Sequence, residues 1–178
     1  IPFKGLYWGL KKDCPVQPRT NIYPIPDLKI PFLGVHFTPN AVNSPNEDHC
    51  GSFGPTAILS FGRENYNILE NIEPLKTISN LCTLSMQYLS DKDDFRNYVS
   101  KQAMLFIPNL MFKSASKLIP TLKKEYIQSS KKVGIRAQLF NSRDKVFVDD
   151  FLCVKGKSST HILNTISPAF TASFELAD

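Results

Sequence analysis

The amino-acid sequence predicts an α+β fold, in which strand-forming segments at both ends of the chain enclose a helical middle. Prolines and β-forming residues dominate roughly the first 60 positions, apolar residues at helical spacing follow from Ile68, and short β-forming runs return at Gly134. The chain has 178 residues, of which 42% are hydrophobic and 21% charged. This composition is that of a globular domain, and the sequence contains no run of about 18 apolar residues of the kind that spans a membrane.

The first third of the chain is predicted to be extended. Residues 1–32 contain many prolines, which favour strands and turns over helices. Residues 33–38 and 56–61 are rich in β-formers and predict two strands. The polar segment 39–53 between them predicts a long loop.

The middle of the chain predicts helices. The spacing is loosely helical after Ile68 and becomes regular over residues 95–106. Pro108 is expected to end or kink this helix, and a shorter helix is predicted over residues 113–119. The amphipathic stripe of the regular helix consists of Phe95, Tyr98, Val99, Gln102, Ala103 and Phe106.

The last third again predicts strands, followed by a final helix. Ser167 and Pro168 suit the N-cap and first position of that helix. A turn is predicted over residues 141–144. The predicted strands are residues 134–140, 146–148, 151–154 and 161–164.

Charge and cysteine content narrow the classes of partner. The net charge of +5 is concentrated in residues 113–136, which could meet an anionic surface or could form a solvated face. With little aromatic interleaving, this segment argues against a nucleic-acid partner and leaves at most a peripheral membrane contact. The four cysteines form no C-x-x-C pair and are expected to be reduced, as in a cytoplasmic protein. The run Asp48-His49-Cys50 is too compact to predict a metal site.

Two strand residues carry the clearest chemistry. His36 has apolar neighbours and is either a structural residue or a base. Arg136 also has apolar neighbours, so it needs an anion if it points inward and is solvated if it points outward. The predicted helix start at Ser167 is a third, weaker candidate for binding an anion.

Eight short motifs occur along the chain in a characteristic order and spacing. They are Lys4-Gly-Leu-Tyr-Trp8, Asn21-Ile-Tyr-Pro-Ile-Pro-Asp27, Pro31-Phe-Leu-Gly-Val-His-Phe-Thr38, Gly54-Pro-Thr-Ala57, Phe61-Gly-Arg-Glu-Asn-Tyr66, Gly134-Ile-Arg-Ala-Gln138, Val148-Asp-Asp-Phe151 and Ile166-Ser-Pro-Ala169. Together they resemble the C-terminal part of FAD-dependent L-2-hydroxyglutarate dehydrogenases and oxidases, which belong to the glycine-oxidase and D-amino-acid-oxidase-like flavoproteins. The resemblance covers nearly the whole chain.

The resemblance implies an architecture. Residues 1–133 would form a substrate domain, built on a mixed, largely antiparallel sheet with helices packed on one side. Residues 134–178 would supply the strands and terminal helix that return to the FAD-binding domain. In that family the final helix points at the flavin, which implies cofactor binding by Ser167, Pro168, Ala169 and Thr171.

The resemblance also implies a reaction, the oxidation of a 2-hydroxy acid to a 2-oxo acid with FAD as hydride acceptor. Arg136 matches a position that binds the substrate carboxylate, and a guanidinium suits that role. His36 is the expected base for the hydroxyl proton. Tyr23 and Thr38 are expected to line the substrate pocket.

Departures from the family pattern shape the remaining expectations. The chain lacks the G-x-G-x-x-G motif that holds the FAD pyrophosphate, and the residues after Ile1 do not have the pattern of a signal peptide. We therefore expect it to be inactive alone and to need a separate dinucleotide-binding half, or to self-associate through the apolar surface that half would cover. Position 56 is Thr where the family usually has Asn, and Phe170 stands where small residues are usual. The alternative interpretation is a folded, non-enzymatic remnant or interaction module that binds no FAD. We expect it in the cytoplasm, at most peripheral to the inner membrane.

Overall fold

The computed structural model of the chain confirms the α+β class, with antiparallel sheets and four α-helices among the residues it describes. It describes residues 1–25, 34–41, 48–91, 94–148, 150–165, 169–170 and 172–177. The chain divides into two compact units. The larger unit is Pro2–Arg136, and the smaller is Ala137–Asp178 together with Ile1. The assignment of residues 134–178 to an FAD-binding domain concerns function and stays a prediction.

A five-stranded sheet organises the larger unit. Its long first strand pairs with three others, and two of these pairings are antiparallel with a known register. Trp8 lies opposite Phe53, and Phe3 opposite Leu59. The strands are β1 (Pro2–Lys11), β2 (His36–Pro39), β3 (His49–Gly54), β4 (Ile58–Leu59) and β5 (Ile127–Ala137), in the order β2-β3-β1-β4, with β5 also on β1.

The prediction of a loop up to residue 53 is wrong at its end, because β3 is a strand. Its residues His49, Gly51 and Ser52 have low β-propensity, so propensity alone does not predict a strand there. Tertiary packing explains the choice, since the ring of Phe37 lies against Gly51 where a Cβ atom would clash. A strand with small and polar residues therefore fills the centre of the sheet.

Three helices and a short 3₁₀ turn connect β4 to β5. They are α1 (Pro74–Ser90), α2 (Phe95–Met104), α3 (Pro108–Leu118) and the turn Lys124–Tyr126. The predicted amphipathic helix is confirmed as α2, which buries Phe95, Tyr98 and Gln102. The helix predicted from residue 113 begins five residues earlier, because Pro108 takes the first helical position, where its missing N–H costs nothing.

The core of the larger unit lies between the sheet and α3. Met111 and Ala115 of α3 are fully buried, as are Leu10, Phe37 and Phe53 of the sheet. The rings of Phe37 and Phe53 are tilted, with centroids 5.0 Å apart. Burial of each large apolar side chain is worth roughly 1.5–3 kcal/mol, so this contact stabilises the unit.

Helix α1 is also amphipathic, but unlike α2 it exposes its apolar residues. Its least exposed positions include Thr77, Asn80, Leu84 and Gln87, which recur at helical spacing and are mostly polar. Its apolar residues point outward, with Leu75 84% and Leu89 72% exposed; Ile78 and Met86 are also exposed. An outward apolar stripe of this size is characteristic of a surface that another component covers.

Strand β5 begins seven residues before the predicted strand 134–140 and ends at Ala137. The basic segment 113–136 therefore spans several elements, and its contact with an anionic surface stays a prediction. It runs through α3, the 3₁₀ turn and β5, and in β5 Lys131 and Lys132 occupy consecutive strand positions.

The smaller unit contains two hairpins and a short helix. Phe140 and Phe147 pair across the first hairpin with their rings edge-on, 5.3 Å apart. Asn164 is buried and donates to the carbonyl of Asp150 at 2.7 Å. The elements are β6 (Phe140–Asn141), β7 (Val146–Phe147), β8 (Leu152–Lys155), β9 (Thr160–Asn164) and α4 (Ser173–Ala177).

Within the described parts of the chain, none of the helices combines the length and apolarity needed to cross a bilayer.

Candidate functional site

Arg136 is the centre of the candidate site. It lies near the end of β5 and is partly buried. Burial lowers the pKa of its guanidinium, and the phenols of Tyr98 and Tyr7 act against that shift. Because desolvation is the largest effect, the charged group is held where a bound anion would be strongly favoured.

Two tyrosines interact electrostatically with the guanidinium. Tyr98 is buried on α2, and burial raises the pKa of its phenol, with Arg136 acting in the opposite direction. Burial likewise raises the pKa of Tyr7 on β1, again opposed by Arg136. Both phenols are therefore protonated at neutral pH and can donate hydrogen bonds to an anion.

Gly54 makes room for Tyr7. Its φ of 149° is a conformation that glycine adopts readily and other residues rarely do. A Cβ atom there would lie 2.8 Å from Cδ1 of Tyr7. The next residues tie this region to α2, because Gln102 accepts a hydrogen bond from the N–H of Ala57 at 2.8 Å. Tyr98 lies one helical turn before Gln102, so the same contact fixes its position.

Thr56, the departure from the family pattern, has a structural role here. Its Oγ1 accepts a hydrogen bond from the N–H of Leu6 at 3.1 Å, and its own N–H donates to the carbonyl of Leu6 at 3.0 Å. The side chain is 1% exposed. Thr56 therefore fastens the turn after β3 to β1, directly beside Tyr7.

His36 is within electrostatic reach of Arg136. Burial lowers the pKa of its imidazole, the hydrogen bond with the Gly34 carbonyl raises it, and Arg136 lowers it further. Nδ1 lies 3.3 Å from that carbonyl, which can only accept, so Nδ1 carries the proton and Nε2 the lone pair. His36 is thus neutral at pH 7 and can act as a base.

Tyr23 and Thr38 lie beside His36. Ile22 forms a two-way backbone bridge with Phe37, which brings the ring of Tyr23 to 4.8 Å from the ring of His36. Thr38 follows His36 by two positions in β2 and therefore shares its face of the sheet. The larger unit thus brings together His36, Arg136 and Tyr23, with Thr38 on the same face as His36; their roles stay predictions.

The predicted cofactor residues cannot be assessed in the same way. Ser167, Pro168 and Thr171 lie outside the described residues, as does the predicted start of the final helix. Ala169 is half-buried in a turn of the smaller unit, and the side chain of Phe170 is 95% exposed.

The sequence arguments missed Tyr7 and Tyr98. Tyr98 was assigned to the stripe of α2 as a core residue, and Tyr7 belongs to the phrase Lys4-Gly-Leu-Tyr-Trp8 without a proposed role. A buried phenol on an apolar stripe is a signal that the stripe faces something polar. Sequence spacing could not have identified Arg136 as that neighbour, because the contact joins α2 to β5.

Chemically, the cluster offers one cation, two phenolic donors and one neutral imidazole. A guanidinium with phenolic neighbours suits a carboxylate. An imidazole nearby suits removal of a proton from a hydroxyl group on the adjacent carbon. The arrangement therefore fits an acid that carries a hydroxyl next to its carboxylate.

Comparisons with known proteins find similarity to enzymes named for a 2-hydroxy acid. The chain is 34% identical to the mitochondrial L-2-hydroxyglutarate dehydrogenase of Caenorhabditis elegans over 182 residues, which is 99% of this chain and 40% of the relative. It is 32% identical to L-2-hydroxyglutarate dehydrogenase of Indibacter alkaliphilus, over 99% of this chain and 42% of the relative. For the human mitochondrial enzyme the identity is 31%, over 99% and 37%.

No protein-family model matches the chain. The chain spans about two fifths of the length of these curated relatives. The agreement nevertheless extends over almost every residue of the chain and includes relatives from animals and bacteria. The chain therefore matches a C-terminal part of the L-2-hydroxyglutarate dehydrogenases.

Proposed function

We propose that this chain is the substrate-binding part of an FAD-dependent oxidoreductase that converts a 2-hydroxy acid, such as L-2-hydroxyglutarate, to the 2-oxo acid. The observation that carries the proposal is the cluster of Arg136, Tyr7, Tyr98 and His36. The names of the relatives support the substrate.

Arg136 would bind the carboxylate next to the reacting carbon. Its guanidinium can form two parallel hydrogen bonds to a carboxylate, which fixes the orientation as well as the position of the acid. The phenols of Tyr7 and Tyr98 are raised in pKa and so remain donors at neutral pH. An anion would also relieve the desolvation that lowers the pKa of Arg136.

His36 would take the proton of the substrate hydroxyl at Nε2. Loss of that proton would let the O–H electrons form the C=O double bond of the 2-oxo acid as the C2 hydrogen departs with its bonding electrons. Bound FAD supplies the hydride acceptor. The lowered pKa of His36 keeps the imidazole in the proton-accepting form near pH 7.

The proposal assigns the substrate site to this chain and most of the nucleotide site to another part of the enzyme. The sequence has no G-x-G-x-x-G motif, and the described helix of the smaller unit, α4, has only five residues. FAD would therefore be held mainly by a separate N-terminal dinucleotide-binding half. Residues 134–178, with Ser167, Pro168, Ala169 and Thr171, would complete that binding site.

The alternative function is an interaction module that binds no FAD. The outward apolar stripe of α1 favours a role in which a protein surface covers Leu75, Ile78 and Leu89. A dinucleotide-binding half is the occupant that the proposal requires, because the chain spans only two fifths of its relatives. Location in the cytoplasm stays a prediction.

Flavin fluorescence titration tests the proposal. The purified chain is titrated with FAD, with and without a separately produced dinucleotide-binding half. We expect binding that quenches flavin fluorescence only when both halves are present. An absence of binding in both samples would leave the interaction module as the function.

Sedimentation velocity tests the covering of α1. The isolated chain is expected to self-associate, and the Ile78→Lys variant to be monomeric at the same concentration, because a charge disrupts the stripe. Ser100→Lys, at an exposed position of α2, is the matched control and should behave as the wild type. A monomeric wild-type chain would contradict this expectation.

A further inference from the structure

The face of β5 that carries Arg136 also carries a second cation. Alternate residues of a strand share a face, so Lys132, Gly134 and Arg136 lie on one face and Lys131 on the other. At a rise of about 3.3 Å per residue, the Cα atoms of Lys132 and Arg136 lie roughly 13 Å apart. Both side chains are long enough to reach back toward the position between them.

Tyr7 of the neighbouring strand β1 lies beside this face of β5. The ammonium of Lys132 is 5.3 Å from the centroid of the Tyr7 ring. A Cβ atom at Gly134 would lie 3.8 Å from the Tyr7 hydroxyl, so the small residue leaves the phenol room. Arg136 interacts electrostatically with the same phenol. The two cations therefore flank one tyrosine, on the same face of one strand.

This arrangement suits an acid with a carboxylate at each end. In an extended 2-hydroxyglutarate the two carboxylate carbons lie about 5 Å apart, from four C–C bonds of about 1.5 Å. Arg136 is partly buried and suits the carboxylate beside the hydroxyl, where orientation matters. Lys132 is exposed, and its flexible ammonium suits a distal carboxylate whose position varies.

We propose that Lys132 binds the distal carboxylate of the substrate while Arg136 binds the carboxylate next to the hydroxyl, so that this face of β5 selects dicarboxylic over monocarboxylic 2-hydroxy acids. This inference rests on the proposed function, because it assumes that Arg136 holds the first carboxylate. Lys132 is a specificity-determining residue in this account, and it takes no part in the transfer of the proton or the hydride.

Amide NMR titration of the full chain tests the assignment with two probes. L-2-hydroxyglutarate carries the distal carboxylate, and L-2-hydroxyvalerate has a methyl group in its place. Lys132→Gln should weaken binding of L-2-hydroxyglutarate about two- to fivefold, the range of an exposed ion pair, and leave L-2-hydroxyvalerate unchanged. Lys131→Gln removes the same charge from the opposite face and should change neither affinity.

The outcomes separate this inference from the proposed function. Equal weakening of both acids by Lys132→Gln, no weakening of either, or the same loss in Lys131→Gln would overturn the role of Lys132 alone. Arg136→Gln should weaken both acids. A wild-type chain that binds neither acid, or binding that ignores Arg136→Gln, would overturn the proposed function together with this inference.

Discussion

Two cations of the larger unit, Lys4 and Arg136, are both removed from solvent by burial but interact with different groups. Both lie on strands of one sheet, and burial lowers the pKa of both. The ammonium of Lys4 donates to Oδ1 of Asn65 at 2.9 Å. Arg136 interacts electrostatically with the phenols of Tyr98 and Tyr7 and with the imidazole of His36.

The difference shows which cation is committed to the fold. Asn65 is fully buried, and its amide donates to the carbonyls of Asn67 and Glu70 at 2.6 Å each, so the pair with Lys4 closes a loop. The phenols of Tyr98 and Tyr7 act on the guanidinium of Arg136 and oppose the lowering of its pKa by burial. Lys4 therefore has a structural partner within the fold, whereas the role proposed for Arg136 is to bind the carboxylate of the substrate.

The largest expected effect is on the free energy of unfolding, when Lys4 loses its partner Asn65. Asn65→Ala leaves the ammonium of Lys4 buried without its acceptor and releases the carbonyls of the loop. We expect a loss of roughly 3–5 kcal/mol in the free energy of unfolding, the range for breaking one partner of a buried polar pair. Urea denaturation measures it. Asn67→Ala, at an exposed neighbouring position, should cost less than about 1 kcal/mol; equal losses would refute the distinction.

Arg136→Met should give the opposite pattern. The free energy of unfolding should change by less than about 1 kcal/mol, because methionine keeps much of the apolar stem and removes a desolvated charge. L-2-hydroxyglutarate should raise the melting temperature of the wild-type chain by mass action and leave that of the variant unchanged. Thermal unfolding with and without the acid measures both. A variant that unfolds as readily as Asn65→Ala would make Arg136 structural as well.

A smaller effect concerns His36 and pH. Its pKa is lowered in the folded chain, so below about pH 6.5 the unfolded chain binds more protons than the folded one. The free energy of unfolding should therefore fall as the pH drops through 6.5 and level off below the folded pKa. His36→Gln should flatten this fall, whereas His161→Gln, at an exposed position, should not. Urea denaturation from pH 7.5 to 5 makes the comparison.

The smallest effect involves two further cations, Lys76 and Arg63, which are both exposed. Lys76 and Arg63 hold the carboxylate of Glu73 at the start of α1 and lower its pKa to about 2. This contribution is present above the ordinary pKa of 4.5 and is lost as the pH falls toward 2. Glu73→Gln should show a shallower loss of stability between pH 5 and 3 than the wild type, and Glu125→Gln should match the wild type. Parallel slopes for Glu73→Gln and the wild type would show that the pair contributes nothing.

The sequence predicted the elements better than their orientation. The apolar spacing of α2 correctly indicated its buried face, because local pattern and tertiary contact agree there. In α1 the same kind of spacing exists, yet the apolar face points outward and Gln87 points inward. Spacing alone cannot distinguish the two cases, since it does not say which face of a helix meets the rest of the chain.

The candidate site divides in a similar way. The sequence identifies His36 and Arg136 as candidates, because a titratable or charged residue between apolar neighbours in a strand requires a polar partner if it is buried. Tyr7 and Tyr98 became visible only when β1, α2 and β5 were brought together. The same holds for Lys132, whose relation to Arg136 depends on β5 beginning at Ile127 rather than at Gly134.

The most direct test of the central claim is anaerobic reduction of flavin by L-2-hydroxyglutarate in the two-half complex. The account predicts bleaching of the flavin absorbance with the wild-type chain and at least a tenfold slower reaction with Arg136→Met, since a charged hydrogen bond to the substrate is lost. Equal rates for the two chains, or an FAD-loaded wild-type complex that the acid does not reduce, would contradict it.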